Sequence, residues 1–131
     1  MAKNDFLISS NDSLISYSKF FSGKNTYAYF WASWCSPCIE FIKKLDMRKL
    51  EHSDFSSIVF ISIDENKASW MKKNEALGIP NAMSYLMKNG LKSGLPQALK
   101  IDRIPFFISI SKNKINKLNV TKEVFADVMK Q

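Results

Sequence analysis

The chain has 131 residues, a length that holds one domain around one hydrophobic core, and its 46% apolar and 24% charged residues are the proportions of a water-soluble globular fold. Ten phenylalanines, three tryptophans and four tyrosines exclude a disordered chain, and no apolar run approaches the roughly 20 residues of a membrane-spanning helix. The net charge of +7 comes largely from lysines scattered along the sequence, with no arginine-rich block and no nucleic-acid motif, so it describes a solvated basic surface suited to acidic protein partners and not to nucleic acid.

Met1 to Asp5 lacks an apolar signal region, which leaves a cytoplasmic protein or one whose targeting segment lies outside this chain. Phe6-Leu7-Ile8 predicts a short edge strand. Ser9 to Asp12 then reads as the cap of a helix carrying Leu14, Ile15, Tyr17, Phe20 and Phe21 and closed by Gly23. Thr26 to Ala32 is apolar at nearly every position and predicts a central strand covered on both faces.

The pattern changes at Cys35. Cys38, Ile42 and Leu45 recur at helical spacing, so a helix is expected from Ser36 to about Leu50, with Lys43, Lys44, Arg48 and Lys49 on its wet side. Cys35 thus falls at a strand-to-helix junction, where unpaired N–H groups and the positive end of the helix dipole stabilise a thiolate. Cys38 follows one turn later, within reach of a mixed disulfide formed at Cys35. Pro37 in the first turn removes no helical hydrogen bond. Zinc normally needs four ligands, and the two cysteines with His52, the single histidine, fall short, so the pair reads as a redox dithiol with no metal.

Ser56 to Ile63 predicts a second buried strand ending at Asp64, a residue that caps a loop by default, and the strand, helix, strand order calls for a parallel pair. Ala68 to Leu77 predicts a helix with Trp70, Met71 and Leu77 apolar, closed by Gly78 and Pro80. An extended Met83 to Met87, a turn at Lys88-Asn89-Gly90 and a short helix around Leu95 to Leu99 follow. After Pro105 come a strand through Ile110, a turn at 111–114, and an antiparallel strand near Ile115 to Leu118. Thr121 caps a last helix with Val124, Phe125, Val128 and Met129 on one face.

Phe30-Trp31-Ala32-Ser33-Trp34-Cys35-Ser36-Pro37-Cys38 resembles the active-site signature of the thioredoxin superfamily, and its Trp-Ala-Ser-Trp-Cys-x-Pro-Cys form is most similar to TlpA/ResA-type thiol-disulfide oxidoreductases. Arg103 to Ile110 resembles the segment that carries a cis-proline facing the dithiol. The resemblance implies an α/β thioredoxin-like fold, a central mixed β-sheet flanked by helices, over a single domain of residues 1–131. The stretch between Asp64 and Pro105 is longer than a plain thioredoxin needs, which implies an insertion at about 79–100.

It also implies an enzyme that exchanges disulfides with protein substrates, Cys35 as nucleophile exposed to solvent, Cys38 as resolving thiol, and no cofactor. Trp34, Pro37, Ile104 and Pro105 are the implied substrate-binding residues, although Trp34 also fits a packing role, Trp31 fits the core, and Pro105 fits an ordinary strand start. An upstream protein would supply electrons, and the family places such proteins in the periplasm or cell envelope, with the cytoplasm as alternative. A membrane tether would require a segment absent from this chain. Arg103 is either a solvated side chain or a bias toward the Cys35 thiolate.

The sequence also departs from the family. Tyr29 stands where thioredoxins bury an aspartate, and Phe41 where TlpA/ResA-like proteins carry a glutamate; Glu40 is the carboxylate nearest the motif in sequence. Phe106 after the proline predicts an apolar groove wall. A reductase is the leading reading. The alternatives are a disulfide oxidant or isomerase, and a non-enzymatic module that holds a partner in a groove around Trp34, Ile104 and Phe106 with the dithiol as redox sensor.

Overall fold

The computed structural model describes residues 6–16, 26–48, 57–92, 94–98, 100–101, 103–111 and 114–118. Strand β1 (Phe6–Ile8) and β2 (Leu14–Ser16) precede β3 (Thr26–Trp31), α1 (Ser36–Lys43) and β4 (Ser57–Ser62). Then come α2 (Lys67–Leu77), β5 (Ser84–Met87), α3 (Gly94–Ala98), β6 (Phe106–Ser111) and β7 (Lys114–Leu118). Among the described residues seven strands form one sheet in the order β2-β1-β5-β4-β3-β6-β7. It is mixed: β3, β4 and β5 run parallel, and the other pairings are antiparallel. This is the thioredoxin-like α/β architecture.

The interior strands are buried on both faces, as their apolar runs require. Tyr29 lies level with Phe60 on one side and Phe107 on the other, so three aromatic rings form a row across the sheet. Their centroids are 5.8 Å and 4.8 Å from that of Tyr29, and Phe41 of α1 covers the row at 5.1 Å from Tyr29. Rings packed at these separations add about 0.5–1.5 kcal/mol per pair to the apolar area they bury. This row pins α1, and with it the dithiol, to the sheet.

Two expectations about local structure are corrected. Ser9 to Asp12 does not cap a helix: Ser9 N–H donates to Ser13 O and Asp12 N–H to Ser9 O, closing a hairpin in which Leu7 pairs with Ile15. A short apolar run fits helix and strand equally, and the unsatisfied edge of β1 decides for strand. Consequently β2, not β1, lies at the edge. The residues after Ser16 that the helix would have contained lie outside the described residues, as does the helix beginning at Thr121. The second correction is that α1 stops at Lys43, and Asp46 Oδ1 accepts from Arg48 N–H at 3.1 Å to start a new turn. Aspartate inside an apparent helix acts as a cap.

The segment between Asp64 and Pro105 is built into the sheet, because β5 lies between β4 and β1 and pairs with both. Helix α2 is tied to it by a buried polar chain: Trp70 Nε1–H donates to Ser84 Oγ (3.2 Å), Ser84 Oγ–H to Asn74 Oδ1 (2.5 Å), and Asn74 Nδ2–H to Ile79 O (3.1 Å). Gly90, in the turn after β5, has φ +53°, and a Cβ there would sit 2.8 Å from the Ile63 carbonyl oxygen. Only glycine lets this segment close against the end of β4. No helix among the described residues is long and apolar enough to cross a membrane.

Candidate active site

Because β3, β4 and β5 are parallel, their C-terminal ends share one edge of the sheet, and β6, antiparallel to β3, begins there. Phe106 pairs with Phe30, so Pro105 comes opposite the last residue of β3. One edge therefore gathers the Ser33–Cys38 segment, Asp64, the Asn89–Gly90 turn and Ile104–Pro105. Ligand sites of parallel sheets form at such edges because the loops there converge.

Cys35 is the N-cap of α1. Its backbone is extended (φ −92°, ψ 101°), and its Sγ accepts the Cys38 backbone N–H at 3.3 Å, the place usually held by a serine or aspartate oxygen. A sulfur in that position receives an orphan helix donor and the positive end of the dipole, both of which favour its thiolate when reduced. Pro37 lies in the first turn and is exposed. The two cysteines are joined as a disulfide with Cα atoms 5.3 Å apart. Cys38 is fully buried and Cys35 is 6% exposed, so Cys35 is the more open of the two but far less exposed than expected.

The two positions at which the resemblance implies acids are filled by a packed aromatic pair. Tyr29 packs on Phe41, and its hydroxyl donates to the Cys38 carbonyl oxygen at 3.2 Å. Burial pushes the Tyr29 phenol well above its ordinary value, so it remains a neutral donor. Glu40 is exposed on the outer side of α1.

A carboxylate does reach the active-site loop, from the neighbouring strand. Asp64 is 4% exposed; its Oδ1 accepts the Ser33 hydroxyl (2.6 Å) and its Oδ2 accepts the Ser33 backbone N–H (3.0 Å) and the Ser62 hydroxyl (2.5 Å). Sequence reasoning gives no functional role to either Ser33 or Asp64. A buried strand that ends in Ser-x-Asp is the one signal available, and its partner, 31 residues away, is not legible from it.

Trp34 is 67% exposed. With Ser33, Asn66, Ser69, Asn89 and Lys92 it lines a cleft of about 500 Å³. The Ile104–Pro105 bond is cis, both residues are half-buried, and Arg103 is exposed. Phe106 corrects the expected apolar groove wall: it is 4% exposed and belongs to the core, beside its cross-strand partner Phe30. Trp31 is in the core as expected. Among the described residues no cluster of three or more His, Cys, Asp and Glu side chains could hold a metal ion, and His52 lies outside them.

Solved structures share this architecture. A thiol-disulfide oxidoreductase from Bacteroides fragilis superposes with a TM-score of 0.75 at 21% identity, over 99% of this chain and 98% of that one. The thioredoxin domain of a thiol-disulfide oxidoreductase from Bacteroides vulgatus gives 0.74 at 20% identity, over 98% and 96%. A secreted disulfide oxidoreductase from Mycobacterium tuberculosis gives 0.70 at 13% identity, over 96% and 95%. At these identities the likeness is one of fold. The family model described as thioredoxin-like matches residues 23–115, a span that takes in both the dithiol and the cis-proline turn, and the chain belongs to the thioredoxin-like family.

Proposed function

We propose that the protein is a thiol-disulfide oxidoreductase of TlpA/ResA-like kind that reduces disulfides in protein substrates. The observation that carries the reading is the Cys35 sulfur at the N-cap of α1, accepting the Cys38 N–H at 3.3 Å. In the reduced protein the Cys35 thiolate attacks one sulfur of a substrate disulfide, the substrate S–S bond breaks, and one substrate thiolate leaves. The Cys38 thiolate then attacks Cys35, forming the intramolecular disulfide and releasing the second substrate thiolate. Two electrons pass from the dithiol to the substrate, and a thiol-bearing donor protein returns the Cys35–Cys38 pair to its reduced state.

Trp34, Pro37, Ile104 and Pro105 are the surface on which the substrate backbone would lie, a reading supported by the exposure of Trp34 and Pro37 at the same sheet edge as Pro105. The same reading takes residues 1–131 as one domain and places the protein in the periplasm or cell envelope. Support for the compartment comes from the secreted relative.

Reduction of insulin by wild type, Cys35→Ser and Cys38→Ser tests the proposal. Wild type turns over, Cys35→Ser does not, and Cys38→Ser accumulates a mixed disulfide; equal activity in all three would refute it. The reduction potential decides direction, since a reductase lies near about −270 mV and an oxidant near about −120 mV. A partner-holding module has less support, because Phe106, 4% exposed, offers a partner little surface.

A further inference from the structure

The hydrogen bonds between β3 and β4 run in register from Thr26↔Ser57 to Trp31↔Ser62, and one more bond, Ile63 N–H to Trp31 O at 2.9 Å, closes the ladder. Beyond it the chains part, and β3 turns through Ala32, Ser33 and Trp34 into the helix. Within that turn Cys35 N–H donates to Ala32 O at 3.1 Å. From outside, the Asp64 carboxylate takes over where the ladder stops. It binds both donors of Ser33, one on each oxygen, and is itself held by the Ser62 hydroxyl, while Asp64 N–H donates back to Ser62 Oγ at 3.0 Å. The three donors on the carboxylate are neutral, and Asp64 as a residue is 4% exposed.

We infer that Asp64 is a positioning residue for the dithiol: through Ser33 it sets where the Cys35 sulfur sits relative to the first turn of α1. This rests on the thiolate role of Cys35 proposed above. The physical reason is a matter of degrees of freedom. Only Trp34 separates Ser33 from Cys35, and it is exposed and packs on little. A sulfur held only by its own turn would sample positions away from the Cys38 N–H. The fork from Asp64 removes that freedom at Ser33, and charge-assisted bonds are the strongest available for the purpose. The Ile63 carbonyl lies against Gly90, so Asp64 is itself held at a packed junction between β4 and the turn after β5.

The test is the pH profile of Cys35 alkylation by iodoacetamide in the reduced protein. Ser33→Ala keeps the Asp64 charge and loses one arm of the fork. The Cys35 thiol pKa rises and alkylation at pH 7 slows about three- to tenfold, while Ser33→Thr, which keeps both donors, restores the rate. Ser62→Ala, remote from Cys35 in sequence and connected to it through Asp64, shifts the profile in the same sense by less. In an Asp64→Ala background Ser33→Ala adds nothing, because both acceptor oxygens through which it acts are gone.

An unchanged profile in both Ser33→Ala and Ser62→Ala, with native circular dichroism, would overturn the assignment. So would an undiminished Ser33→Ala effect in the Asp64→Ala background. Should Ser33→Ala fail to fold, Ser62→Ala alone decides. Alkylation reports on the sulfur without any substrate turnover, so loss of the reductase proposal in the insulin assay and loss of this one are separate results.

Discussion

Ser33 donates its backbone N–H at 3.0 Å and its hydroxyl at 2.6 Å to the two carboxylate oxygens of Asp64, joining the loop that precedes the dithiol to the end of the neighbouring strand. The connection spans 31 positions of sequence and ties the active-site turn to β4 through side-chain chemistry. Removing the acceptor strands three buried or part-buried donors. Asp64→Ala is therefore expected to cost about 2–4 kcal/mol, read as a lowered urea midpoint with unchanged slope. A cost under about 0.5 kcal/mol would mean that water replaces the carboxylate.

Gly90 and Gly78 both have positive φ, +53° and +70°, but differ in surroundings: a Cβ at Gly78 meets nothing within 4 Å, whereas one at Gly90 meets the Ile63 carbonyl at 2.8 Å. Gly78→Ala should cost about 1 kcal/mol, the left-handed backbone penalty alone. Gly90→Ala should cost about 2–4 kcal/mol, because a main-chain oxygen must also move. Thermal melts of the two variants side by side provide the comparison, and an equal loss in both would contradict the close approach.

Trp34 is exposed enough that its removal leaves the core intact. Trp34→Ala should stay within about 0.5 kcal/mol of wild type in stability. If the side chain contacts substrate, kcat/KM for insulin falls by about tenfold while reaction with a small aromatic disulfide changes little. A large drop in melting temperature would show instead that Trp34 packs.

Tyr29 gives a pH dependence with a definite sign. Burial raises its folded-state pKa above the unfolded 10.0, so unfolding above that pH releases a proton the native state keeps. The contribution is complete below pH 10 and is lost as pH rises toward the folded value. Between about pH 10 and 11 wild type should lose about 1 kcal/mol more stability than Tyr29→Phe, measured by urea unfolding. Parallel slopes for the two proteins would show the phenol ionising within the fold.

The core of the architecture was readable because it rests on local rules. The apolar runs from Thr26 to Ala32 and from Ser56 to Ile63, rich in aromatic and β-branched residues, read as buried strands, Cys35 and Cys38 fell at the start of a helix by spacing, and the resemblance around Pro105 implied the facing segment. Periodicity is enforced by neighbours three or four residues away, and those neighbours are written in order.

What tertiary structure decided was pairing over distance. Leu14 to Ser16 became a strand because β1 offered an open edge, and β5 entered the sheet because β4 and β1 each needed a partner. Phe106 joined the core because β6 pairs beside the buried β3, with Phe30 as its partner, in a sheet covered on both faces. Asp64 acquired its role only when folding brought Ser33 within reach, since one carboxylate at a strand end can accept from many donors and only the assembled sheet selects which.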